Sequence, residues 1–207
     1  MIVPEIPSPH KSTDPQLILG SQSPRRKEIL GYFSLPFQQI TSDFDEDSVP
    51  FSGDPVAYVC EIAAGKAHTL AQRFPHALIL TADTTVYKNG KIYGKPADTE
   101  EAFKALSELA GSWHSVFTGV CLCAQDKQWC SYEETRILFN PLTPEEIRHY
   151  HKKLHWSDKA GGYAIQMAGG LAIKKIEGCY YNAMGLPINS VRTLLLKAGI
   201  DLWDYLK

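Results

Sequence analysis

Five short stretches hold residue types suited to phosphate chemistry. Ser21-Gln22-Ser23-Pro24-Arg25-Arg26 lies between an apolar run and the start of a helix pattern. A helix N-terminus offers free backbone N–H groups and the positive end of the dipole. Two hydroxyls and two guanidiniums there would cradle a polyphosphate, arginine being suited to bidentate oxygen contacts. A capped helix with solvated arginines fits those residues alone equally well. Asp83, in Ala82-Asp83-Thr84-Thr85, directly follows a second apolar run. Ligands of α/β sheets gather outside the carboxyl ends of strands, where a carboxylate can hold a hard cation or activate water. A plain turn cap is the competing reading. In Gly94-Lys95-Pro96, Lys95 is a point charge in a stiff turn, without the spacing of a Walker A loop. Glu46 lies in an acidic stretch ahead of Glu61 and Lys66, and a second carboxylate near Asp83 would complete a metal site. Such a charge run is also what a solvated loop looks like. In Gly161-Gly162-Tyr163-Ala164-Ile165-Gln166, the Gln166 amide could read a base edge by donating and accepting, or simply face water.

Alternating elements would position these groups. Residues 16–20 read as a buried strand, and Ser23-Pro24 as the cap and first residue of a helix reaching about Tyr32. Residues 37–41 suggest a strand and 42–53 a loop. Asp54-Pro55 opens a long helix to about Phe74, with Val56, Val59, Ala63, Ala67, Leu70 and Phe74 at helical spacing. Residues 77–82 form a short apolar strand, and 84–88 with 91–93 a hairpin around Asn89-Gly90, a type I′ signal. A helix follows over 98–110, stopped by Gly111, then two long strands, 114–124 and 128–139, turning near Asp126. Thr143-Pro144 opens a short helix, residues 164–176 read as strand with glycine turns, and 187–198 as a closing helix ended by Gly199. The pattern predicts an α/β fold with a mixed, twisted sheet flanked by helices, an inserted β-hairpin and a cleft between two lobes. Residues 1–15, with four prolines, read as a flexible extension preceding one domain over 16–207.

Bulk properties exclude several classes. A net charge of −2 argues against a nucleic-acid grip, which needs a basic excess. No apolar run has the length of a membrane span, and the N-terminal stretch lacks the apolar segment of a secretory signal. Five cysteines without a C-x-x-C pair suggest free thiols in the cytoplasm, with Cys121 and Cys123 facing one side of a strand. No H-E-x-x-H pair points to a zinc hydrolase. His149 and His151 are expected exposed near a helix end and His114 within a strand.

Taken together, LILGSQSPRRKEIL, ADTTVYKNGKIYGKP, LAGSWHSVFTGV, DKAGGYAIQ and YNAMGLP resemble the motifs of the Maf family of nucleotide pyrophosphatases, in the family's order from Leu17 to Leu195. The resemblance implies hydrolysis of a nucleoside triphosphate between its α- and β-phosphates, with Mg2+ or Mn2+ as divalent cofactor. It implies that Ser21, Ser23, Arg25 and Arg26 bind the triphosphate, that Lys66 and Lys95 flank it, and that Glu46 and Asp83 bind the metal or handle the water. Asp83 matches the proton acceptor. Arg25, Thr84 and Gln166 match the branch acting on dTTP and UTP rather than 7-methyl-GTP, and modified pyrimidine nucleotides are further substrates to consider. The chain departs from the common pattern at Gly20, Thr81, Ala110 and Met167-Ala168, which bears more on pocket shape than on reaction type. The resemblance allows a homodimer, although no segment marks an interface. A nucleotide-binding regulator of cell division or septum formation, without turnover, is the alternative from another class. The acidic Asp83 beside a cationic pocket separates the two, since binding alone gains little from it.

Overall fold

The computed structural model describes residues 16–207. The expected flexible extension over 1–15 lies outside the described residues. The strands are β1 (Leu17–Gly20), β2 (Phe37–Gln39), β3 (Leu78–Lys88), β4 (Lys91–Tyr93), β5 (Trp113–Ala124), β6 (Lys127–Phe139) and β7 (Ile173–Glu177). The α-helices are α1 (Pro24–Leu30), α2 (Pro55–Arg73), α3 (Thr99–Leu109), α4 (Pro144–Lys153), α5 (Tyr180–Met184) and α6 (Ile188–Lys197). They build a mixed sheet of order β2-β1-β3-β5-β6-β7, with β4 hairpinned onto β3. β2, β1 and β3 run parallel, and the remaining pairs are antiparallel.

All four residues of β1 are buried, as a strand covered on both faces requires. The period-two alternation divides the apolar residues between two cores. Leu17, Leu19, Leu78 and Leu80 join the larger core, whereas Ile18 and Ile79 meet Ala63, Ala67 and Leu70 of α2 on the opposite face. Cys121 and Cys123 share that second face, as their spacing predicts. The helix starts follow their caps: Ser23 and Asp54 accept backbone N–H groups of α1 and α2, and Thr143 with Glu146 forms a capping box. Asn89 and Gly90 both take positive φ, the requirement of the type I′ turn.

Two expectations are corrected. The stretches 77–82 and 84–88 are not separate strands; β3 runs through both, so Asp83 sits inside a strand, opposite Gly119 of β5, and not past a strand's end. The antiparallel ladder with β5 continues as far as Tyr87, well after the parallel partner β1 has stopped at Gly20 opposite Thr81. Among the described residues, 82–85 therefore have β5 on one side and no strand on the other, until β4 pairs from Val86 onward. The second correction concerns 164–176: only 173–177 is strand, because 167–172 coils into a 3-10 turn with Met167 at φ 52°. Helix α5 was not foreseen; it spans five residues and ends on Gly185 at φ 104°. No helix among the described residues is long and apolar enough to cross a membrane.

The closeness of α2 to the sheet depends on one glycine. A Cβ on Gly119 would lie 2.5 Å from the Val59 carbonyl oxygen, against helix backbone that cannot swing aside. Gly119→Ala should destabilise the protein by about 2 kcal/mol or more through this overpacking. Urea unfolding measures it, and an unchanged midpoint would contradict the close approach.

Candidate active site

A cleft of about 730 Å3 opens over the strandless edge of residues 82–85. Its lining includes Ser21, Ser23, Arg25, Arg26, Glu46, Lys66, Asp83, Thr84, Lys95 and Gln166, so every site residue expected from the sequence reaches it. Glu61 does not; it is exposed on α2.

At the centre, the Lys66 ammonium lies 2.9 Å from Asp83 Oδ1 and 2.9 Å from Glu46 Oε1. Lys66 and Asp83 are 7% and 8% exposed, so this pair is sheltered from the screening that weakens surface ion pairs. Asp83 faces α2 because it shares a β3 face with Thr81, whose hydroxyl donates to the Ala63 carbonyl at 2.6 Å. Glu46 is delivered by the acidic loop, where Asp45 caps a 3-10 turn over Glu46–Ser48. Phe44 pins that loop to α2: its ring fills the space over Gly65, where a Cβ would come within 2.3 Å. Arg73 holds Asp43 beyond it at 2.8 Å.

The Ser-Pro-Arg-Arg stretch forms a second wall. Ser21 Oγ accepts from the Ser23 N–H at 3.1 Å and from Arg26 at 3.2 Å, while Ser23 Oγ accepts the Arg26 N–H. Gln39 donates to the Ser21 and Ser23 carbonyls and fixes the turn. Arg26 also donates to the carbonyls of Ala82 and Gly185, both at 2.8 Å, and to Thr84 Oγ1 at 3.0 Å. Its guanidinium thus satisfies a β3 carbonyl exactly where strand pairing lapses, and most of its donors serve the protein rather than a ligand. Burial lowers its pKa, and the charges of Asp83 and Glu46 oppose that shift. Thr84 projects to the other face of β3 from Asp83 and also bonds Thr118 Oγ1 at 3.0 Å. Lys95 is exposed, and Gln166 is half-buried at the rim.

The glycine-tyrosine segment rests on two histidines. His114 Nε2 and the Tyr163 hydroxyl are 2.8 Å apart, and both groups are buried. His151 is buried as well, contrary to the expectation of exposure, since its Nε2 must donate to the Gly162 carbonyl at 3.1 Å. His151 and His155 stand four residues apart, the spacing of a zinc pair on a helix. His155 is exposed beyond the end of α4 and lies 3.6 Å from Asp158, so the two do not converge. The Gly161 N–H donates to the Gly94 carbonyl, tying this segment to the loop of Lys95.

Among the lining residues to which sequence reasoning gave no role are Tyr58, Asp158 and Lys159. Tyr58 faces the acidic loop, its pKa raised by burial and then by Asp83, Glu46 and Asp47. Asp158 and Lys159 open the DKAGGY stretch, and their charged side chains beside its glycines were the available signal. Among the described residues, no group of three or more His, Cys, Asp or Glu side chains could hold a metal ion. Glu46 and Asp83 each give one carboxylate oxygen to Lys66, so a hard cation held there would draw most of its ligands from water and phosphate oxygens.

The family described as Maf-like protein matches residues 16–198. A protein named dTTP/UTP pyrophosphatase from Chlamydia felis is 49% identical over 194 residues, covering 93% of this chain and 99% of its own. One named nucleoside triphosphate pyrophosphatase from Chlamydia muridarum is 43% identical, covering 92% of this chain and 98% of its own. A dTTP/UTP pyrophosphatase from Clostridium kluyveri is 38% identical, covering 90% of this chain and all of its own.

Burial depresses the His114 pKa from 6.5 to about 4, with Lys88 adding to the effect. The unfolded chain therefore binds the extra proton first, and this contribution to stability, complete above pH 6.5, is lost as pH falls toward 4. The urea midpoint should decline across that window, and His114→Asn should flatten the decline. An equal slope in the variant would contradict a neutral buried imidazole.

Proposed function

The chain belongs to the Maf family, and on that premise we propose that it is a nucleoside triphosphate pyrophosphatase that cleaves dTTP and UTP between the α- and β-phosphates. The observation that carries the reading is Asp83: a sheltered carboxylate held at 2.9 Å by Lys66, beside a wall of hydroxyls and guanidiniums. The relatives' names and the family's nearly full-length match support the same reaction.

In this mechanism water attacks one phosphorus of the α–β bridge, giving the nucleoside monophosphate and pyrophosphate. Asp83 accepts the proton from the attacking water. Lys66 keeps that carboxylate aimed and shares its charge with Glu46. Ser21, Ser23, Arg25, the remaining donor capacity of Arg26, and Lys95 stabilise charge on the leaving pyrophosphate, an electrostatic effect of roughly a few kcal/mol per donor. Asp83 and Glu46 would hold a divalent cation, Mg2+ or Mn2+, which when bound neutralises phosphate charge and acidifies the water. The mixed lining supports that role: it carries Arg25, Arg26, Lys66, Lys95 and Lys159 together with Asp45, Glu46, Asp47, Asp83 and Asp158. A cleft so balanced offers a highly charged triphosphate little net attraction without added cations.

Base selection falls to Gln166, whose amide reads the pyrimidine edge, with a contribution from Arg25. Thr84 contributes by fixing Arg26 rather than by reaching outward. One unit over 16–207 carries the reaction in the cytoplasm, where the free cysteines stay reduced.

Pyrophosphate release from dTTP, UTP, CTP, GTP and 7-methyl-GTP, with and without Mg2+ or Mn2+, tests the reading. Metal-dependent release led by dTTP and UTP is expected; tight binding without release would favour a regulatory nucleotide sensor instead. Asp83→Asn should abolish turnover, at least a hundredfold loss, while calorimetry still detects nucleotide binding. Near-wild-type hydrolysis in that variant would remove Asp83 from the mechanism. Gln166→Glu should erode the preference for dTTP and UTP, and an unchanged ranking would strip Gln166 of its role.

A further inference from the structure

Among the described residues that line the cleft, Asp158 is the carboxylate paired with an arginine. The other lining carboxylates are Asp83 and Glu46, both paired with Lys66, and Asp45 and Asp47 on either side of Glu46 in the acidic loop. Asp158 instead accepts from Arg25 Nη1 at 2.6 Å, and its backbone carbonyl accepts from Arg25 Nη2 at 3.2 Å. Its other carboxylate oxygen accepts from Lys159 Nζ, with His155 Nε2 lying 3.6 Å away. Arg25 comes from the first turn of α1 and Asp158 from the segment after α4, so the bond joins two walls of the cleft. Burial by itself would raise the Asp158 pKa, but the hydrogen bonds from Lys159 and Arg25 prevail and keep it below the usual carboxylate range.

A guanidinium fork and an ammonium converging on one oxyanion are the donors that a phosphate group also takes. We propose that Asp158 is an internal competitor for the nucleotide's phosphates: it holds Arg25 and Lys159 until the polyphosphate displaces it, and so sets the affinity for substrate and for pyrophosphate. The inference deepens the pyrophosphatase reading and rests on it for the identity of the natural ligand. Exchanging one anion for another spares Arg25 the cost of a partly buried, unpaired cation on either side of the event. The Asp158 side chain is 34% exposed, against 20% for Arg25, which leaves room for it to turn toward water when displaced. After cleavage, the returning carboxylate competes with pyrophosphate for the same two cations and favours its departure. Asp158 touches neither the scissile bond nor the attacking water in this account; it acts through Arg25 and Lys159.

Calorimetric titration of inorganic pyrophosphate into the wild type, Asp158→Asn and Asp158→Glu tests the proposal. The Asn side chain keeps the shape and removes the charge, so Asp158→Asn should bind pyrophosphate on the order of fivefold more tightly, the size of a partly screened ion pair. Asp158→Glu should return affinity toward the wild-type value. In turnover, KM for dTTP should fall in Asp158→Asn with no gain in kcat, a split that a purely structural role would not produce. Should Asp158→Asn fail to fold, Asp158→Ser carries the same expectation. Equal or weaker pyrophosphate binding in the charge-removed variant would overturn the proposal. Absence of triphosphate hydrolysis by the wild type would sink the pyrophosphatase reading instead, and the pyrophosphate titration would still decide the role of Asp158.

Discussion

A gap in strand pairing organises this molecule. β1 stops opposite Thr81 and β4 pairs only from Val86 onward, so among the described residues β3 crosses the interval with a strand on one side only. Backbone groups left without a ladder partner inside a protein cost free energy comparable to a lost hydrogen bond. Arg26 meets that requirement at Ala82, and by doing so ties α1, β3 and the turn after α5 together. The period-two pleat then sends Asp83 toward α2 and Thr84 toward Arg26. The same opening gives a ligand access to a carboxylate that sits within the fold and not on a loop.

Charge placement follows from the same geometry. α2 can lie against β5 only because Gly119 lacks a Cβ, and this approach lets Lys66 reach Asp83 while remaining nearly buried. The ammonium separates two carboxylates that would otherwise repel each other. Phe44 over Gly65 brings Glu46 to the same ammonium, so the acidic side of the cleft is assembled from three elements distant in the chain. The cationic side is assembled from α1, the loop after β4 and the segment after α4, with Asp158 as its internal counter-ion. Opposite walls of opposite sign suit a polyphosphate accompanied by a divalent cation better than either alone.

Much of this was legible in the sequence wherever a local rule governs. Caps at Ser23, Asp54 and Thr143, the Asn89-Gly90 turn and the alternation of the buried strands all acted over a few residues and appeared as expected. Long-range pairing was not legible. Nothing local says that β3 continues past Asp83, because that depends on β5, some forty residues away in the register Asp83↔Gly119. The burial of His151 depends on a carbonyl at Gly162 across a loop, and a helix-end histidine reads as exposed without it. The site residues were legible as a set through the family resemblance, but their division of labour was not. Arg26 reads as a ligand-facing guanidinium, yet it also bonds Ser21, Ala82, Thr84 and Gly185, whereas nothing local to Asp158 in DKAGGYAIQ signals its bond to Arg25.

The central claim is that this cleft directs water to the α–β bridge of a pyrimidine triphosphate. Phosphorus NMR of the products formed from dTTP by the wild-type protein with Mg2+ tests it most directly. The account predicts equal growth of the monophosphate and pyrophosphate signals, with no diphosphate intermediate. Appearance of the nucleoside diphosphate with orthophosphate would contradict it, because the cleavage would then fall between the β- and γ-phosphates.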